Sequence, residues 1–108
     1  MHPALSGALG IAARAGLVVT GTDQVRHAVR DGGVALVVYA GDASATQRRK
    51  LEALVEARGV PTVTLSTRED LGRAVGRAPL SAVGITSQGL AARVREIADA
   101  HPEGPPAT

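Results

Sequence analysis

Residues Val34-Ala35-Leu36-Val37-Val38-Tyr39-Ala40 form an unbroken apolar, largely β-favouring run with no polar alternation. A strand with one face in water alternates apolar and polar residues. One that does not must be covered on both faces. The chain is therefore expected to build a sheet between layers of helix, with this run as an inner strand. Aromatic residues make up 1% of the chain, with Tyr39 the one example, against 44% hydrophobic residues. The core is then Ala, Val, Leu and Ile, which suits close-packed α/β layers better than an aromatic-rich β-sandwich.

The flanking segments supply those layers. Pro3 suits a first helical position, and Leu5, Ala8, Leu9 and Ala12 recur at helical spacing up to Gly16, which accepts the left-handed cap conformation. Leu17-Val18-Val19 is a short strand. Gly21 can take the positive φ of a tight strand-to-helix turn, and Thr22 can cap the next helix through its hydroxyl. That helix turns Val25, Ala28 and Val29 inward and stops at Asp31-Gly32-Gly33. After the central strand, Ser44 and Gln47 read as a capping box for a helix burying Leu51, Leu54 and Val55 and ended by Gly59. Val60-Pro61 lead into the strand Thr62-Val63-Thr64-Leu65. A second capping box, Ser66 with Glu69, opens a short helix through Leu71 to Val75, ended by Gly76. The loop Arg77-Ala78-Pro79 precedes a last strand over residues 80–86 and a helix with Leu90, Ala91, Val94, Ile97 and Ala98 on one face. The order predicts a three-layer α/β/α sandwich with a four-stranded mixed sheet. It is read as a single domain over residues 1–101, followed by a flexible Pro- and Gly-rich tail over residues 102–108.

Twelve basic and ten acidic residues give a formal charge of +2 and a pI near 9.9, a balance that permits an RNA partner without demanding one. The near-absence of aromatics excludes recognition by base stacking, so any nucleic-acid contact must use charge, hydrogen bonds and shape. With no cysteine there is no disulfide, thiolate nucleophile or sulfur-ligated metal. The start Met1-His2-Pro3-Ala4 lacks the order of a secretory signal, and no apolar run approaches a membrane span, so a soluble, cytoplasmic protein is expected. His2, His27 and His101 lie far apart in sequence, without metal-ligand spacing. There is no Gly-x-Ser-x-Gly elbow, phosphate-binding loop or dinucleotide fingerprint. Asp42 reads as a turn or capping residue, because no second acidic residue joins it to hold a metal. Neither catalysis, nor a cofactor, nor a metal is expected. Arg48-Arg49-Lys50 read as a solvated face, with Glu52 placed to pair with Arg48.

The stretch with most to offer a ligand is the helix opened by Gly21. Its outer side carries Asp23, Gln24, His27 and Arg30, and a helix start presents unpaired N–H groups and partial positive charge.

Several segments together resemble the kink-turn-binding ribosomal protein superfamily (L-seven-Ae and L-thirty-e type), in particular its bacterial ribosomal-protein-like paralogues. They are Leu9-Gly10-Ile11-Ala12-Ala13-Arg14-Ala15-Gly16, Gly21-Thr22 opening a helix, Ala40-Gly41-Asp42-Ala43, Val60-Pro61, and Leu71-Gly72-Arg73-Ala74 with Gly76. The match runs from about Leu5 to Ala98. It implies a non-catalytic binder of structured, kink-turn-like RNA, with the ribosome or another ribonucleoprotein as the implied assembly. The implied RNA-binding residues are Gly21, Thr22, Asp23, Gln24, Arg26, His27, Arg30, Arg77, Ala78 and Pro79. Gln24 stands where relatives carry the Glu or Gln that reads the guanines of sheared G·A pairs, and it can both donate and accept. Asp23 replaces Asn or Lys, His27 replaces a phosphate-facing Lys, and Leu17 sits where bacterial relatives often have Lys. A second contact loop, usually aliphatic-acidic-aliphatic in relatives, here reads Arg77-Ala78-Pro79. Two alternatives stay open: a protein-interaction module of the same fold that has lost RNA binding, and a small-ligand or phosphate-binding module using Gly21 and the helix start.

Overall fold

The computed structural model describes residues 1–101, so the expected tail over residues 102–108 lies outside the described residues. The elements run α1 (Pro3–Arg14), β1 (Val18–Thr20), α2 (Thr22–Arg30), β2 (Leu36–Ala40), α3 (Ala45–Ala57), β3 (Thr62–Leu65), α4 (Arg68–Ala74), β4 (Ala82–Ile85) and α5 (Gln88–Ala100). The strand order is β1-β4-β2-β3, with β4 antiparallel to both neighbours and β2 parallel to β3. This is the expected α/β sandwich on a four-stranded mixed sheet.

The central run behaves as its composition requires. All of Val34 to Ala40 is buried, and the strand's period of two divides it between two cores. Leu36, Val38 and Ala40 join Leu5, Leu9, Leu71 and Val94 on the side covered by α1, α4 and α5. Val37 and Tyr39 join Val25, Val29, Leu51 and Val55 on the side covered by α2 and α3. The ladder itself starts at Leu36, and the last strand occupies Ala82–Ile85 rather than the wider span read from sequence.

Two helix starts differ from expectation. Gly21, not Thr22, is the N-cap of α2, at φ 90° and ψ 147°. Thr22 is already helical and 91% buried, so its hydroxyl makes no capping bond. At α4 the cap moves on by one residue, because Ser66 adopts a φ of 52°. Thr67 becomes the N-cap and its hydroxyl accepts the Asp70 N–H at 3.1 Å, while Glu69 pairs along the helix with Arg73.

The topology fixes where a site can form. Strands β1, β2 and β3 run the same way, and each is followed directly by a helix. The starts of α2, α3 and α4 therefore gather at one end of the sheet, and β4 begins at that same end.

Candidate nucleic-acid interface

Five hydrogen bonds join the connections at this end into a continuous rim. The Gly21 N–H donates to the Ala82 carbonyl at 3.1 Å, and the Ala40 N–H to Ser81 at 3.0 Å. The Gly41 N–H donates to the Ser66 carbonyl at 2.9 Å, and the Leu80 N–H to Arg68 at 3.0 Å. The fifth links a side chain to backbone: the Arg68 N–H donates to Asp42 Oδ1 at 2.7 Å. Asp42 is thus a capping residue, as read from sequence, but for α4 across the rim rather than for its own loop.

The helix starts on this rim are not equivalent. Ser44 accepts the Gln47 N–H and caps α3, and Thr67 with Asp42 occupies first-turn donors of α4. The start of α2 has no side-chain cap, since a glycine stands at the N-cap. Among the described helices it alone lacks one, because His2 caps α1 and Ser87 caps α5. Its first-turn N–H groups, with the positive end of the helix dipole, are left open to whatever approaches. Gly21 makes this geometry possible, because its φ and ψ lie in a region closed to residues with a Cβ.

The side chains expected to bind are placed unevenly. Asp23, Gln24, His27 and Arg30 are exposed on α2, as its periodicity requires. Thr22 can offer only its backbone. Arg26 is half-buried, and its Nε is enclosed without a hydrogen-bond partner among the described residues. Arg77, Ala78 and Pro79 are exposed, but their loop doubles back along α4. The Arg77 N–H donates to the Gly72 carbonyl at 2.8 Å, and the chain reaches the rim only where Leu80 meets Arg68. Four residues separate those two contact points on α4, so Arg77 stands about 6 Å, one helical turn, back from the rim. Gly72 permits this fold-back: a Cβ there would lie 2.2 Å from the Ala78 carbonyl oxygen.

Arg68 belongs to the rim and carries no sequence signal of its own. Its side chain is exposed, with no ion pair among the described residues. By contrast Arg48 is occupied: its Nε bonds Glu52 Oε1 at 2.6 Å, its terminal nitrogen reaches the Thr64 hydroxyl at 3.2 Å, and its guanidinium lies 4.5 Å from the Tyr39 ring centroid. The pairing read from sequence holds, and Arg48 is withdrawn from any surface role. The described residues contain no group of three or more potential metal-ligating side chains. No described helix is long and apolar enough to cross a membrane.

Comparison with known proteins adds to this geometry. Residues 3–94 match the model of the ribosomal protein L7Ae/L30e/S12e/Gadd45 family. The chain is 33% identical over 91 residues to the RNA-binding protein YlxQ of Bacillus subtilis, covering 84% of this chain and 91% of that protein. Among solved structures it resembles a Bacillus halodurans protein of unknown function, with a TM-score of 0.84, 32% identity, and coverage of 92% of this chain and 99% of the other. It also resembles the Giardia lamblia 15.5kD RNA binding protein, with a TM-score of 0.73, 25% identity, and coverage of 89% and 82%.

Proposed function

We propose, from the premise that the chain belongs to the ribosomal protein L7Ae/L30e/S12e/Gadd45 family, that it is a non-catalytic binder of structured, kink-turn-like RNA. We place its work in the cytoplasm, on the ribosome or another ribonucleoprotein. The observation that carries the reading is the uncapped start of α2 on a rim whose other helix starts are capped. An open helix start gathers backbone donors and partial positive charge, which is what a phosphate or a guanine edge requires. Two proteins whose names describe RNA binding are 33% and 25% identical to this chain over the matched residues.

In this reading Gln24 reads a base edge through its amide, and the open N–H groups of α2 receive an RNA oxygen. Arg68 on the rim, and His27 and Arg30 further along α2, supply phosphate contacts, while the Asp23 carboxylate repels phosphate from its own flank and so orients the RNA. Ala78 and Pro79 give a looped-out nucleotide an apolar surface. Arg77, one turn back, reaches phosphates of an RNA that extends along α4.

Fluorescence polarisation with a kink-turn RNA and a version with its G·A pairs disrupted tests the proposal. The intact RNA should bind more tightly. Its log affinity should fall linearly with log salt, by about 0.9 per phosphate neutralised, by analogy with duplex DNA. No binding at low salt would remove the RNA reading in favour of a protein-interaction module.

A further inference from the structure

The opposite end of the sheet holds an open cavity of about 240 Å³, between the entries to β2 and β3 and the start of α5. Val34, Val60, Pro61 and Ala91 are among the residues that line it, Arg58 and Arg95 line it too, and among the described residues no Asp or Glu does. Neither arginine has an ion pair or a hydrogen bond from its side chain among the described residues. Arg58 has a structural reason to be there, because it is the C-cap residue of α3 and its charge suits the carbonyl end of that helix. Arg95, midway along α5, makes no ion pair among the described residues, not even with Asp99 one turn on.

Two like charges beside one concave surface repel each other in the folded chain, and a low-dielectric wall concentrates their field in the cleft. Guanidiniums match the oxygens of a phosphate with paired, parallel N–H donors. We propose that this cavity is a second, separate phosphate site, in which Arg58 and Arg95 clamp one phosphate group and the Gln88 amide donates a further hydrogen bond. The phosphate comes either from an RNA backbone that passes the far end of the sheet or from a free phosphate compound. The site does not depend on the rim and stands whether or not the rim binds RNA.

Inorganic pyrophosphate titrated into the full chain, read through the arginine Nε–Hε NMR signals, tests it directly. The Arg58 and Arg95 signals should shift together and saturate, while that of Arg73, exposed and paired with Glu69, should not. The double substitution Arg58→Gln with Arg95→Gln should abolish saturation, whereas Gln24→Ala at the rim should leave it intact. A second arm identifies the source. If an RNA supplies the phosphate, the double variant should lower the slope of log affinity against log salt by up to two. Saturation by pyrophosphate with an unchanged RNA slope assigns the site to a free phosphate compound. Shifts at Arg58 and Arg95 that stay linear and match those at Arg73, with an unchanged RNA slope, would overturn the proposal.

Discussion

The Asp42 carboxylate accepts the Arg68 backbone N–H at 2.7 Å, across 26 residues of sequence. The bond ties the loop after β2 to the start of α4 and occupies a donor that the helix cannot satisfy itself. Asp42→Ala should cost about 0.5–2 kcal/mol, the range for loss of a helix-capping acceptor, measured by urea unfolding. Asp42→Asn keeps an oxygen acceptor and should recover most of that loss. No loss in either variant would mean that packing alone holds this side of the rim.

Gly72 and the loop above it form the second sensitive point. An added Cβ would fall 2.2 Å from the Ala78 carbonyl oxygen and 2.9 Å from that of Arg77, both backbone atoms rather than yielding side chains. Gly72→Ala should therefore destabilise the chain by about 1–3 kcal/mol and displace residues 77–79. If the rim reading is right, RNA affinity falls in the variant even where it remains fully folded. A variant as stable as the parent would show that the loop rides freely over α4.

Gln24 is exposed, so Gln24→Ala should change stability by no more than about 0.5 kcal/mol. Affinity for the intact kink-turn RNA should fall by about 1–3 kcal/mol, and discrimination against the G·A-disrupted RNA should shrink. Equal losses on both RNAs would reduce Gln24 to a positioning contact.

A pH effect follows from Asp70. The Ser66 hydroxyl donates to its carboxylate at 2.6 Å and holds the carboxyl below its ordinary 3.8, with the Met1 ammonium at 3.5 Å and then Arg73 acting the same way. Because the folded value lies below the unfolded one, the contribution to stability is full above the ordinary value. It is lost as pH falls through the depressed folded value. Asp70→Asn should flatten the acid limb of the stability–pH curve. An unchanged acid limb, followed by urea unfolding at successive pH values, would show that these contacts contribute nothing.

Much of this arrangement was legible in the sequence because it follows from periodicity. The unbroken run ending at Ala40 required two covering layers, and the spacing of Val25, Ala28 and Val29 left Gln24 and His27 outside. What was not legible depends on contacts between distant segments or on single backbone angles. Nothing local says that Ser66 adopts a φ of 52°, which moves the cap of α4 to Thr67. Arg77 reads only as part of a second contact loop, and the fold-back over Gly72 is what sets it one turn behind the rim. His2 and His101, in unrelated contexts by sequence, stack with ring centroids 3.9 Å apart because α1 and α5 lie side by side. Tyr39 takes its place under Arg48 from the register of β2 against α3, and its buried hydroxyl has no hydrogen-bond partner among the described residues.

The place of β4 in the sheet has a consequence for how the protein is made. Among the described residues β1 pairs with β4 alone, and β4 also separates it from β2. During synthesis, β1 and α2 leave the ribosome well before the strand that will hold them. Gly21 gains its bond to the Ala82 carbonyl only when that late segment slots between two waiting neighbours. A nascent chain halted after α4 would carry every α2 residue named above and yet lack the rim that aligns them. The rim is thereby completed only once β4 has been translated.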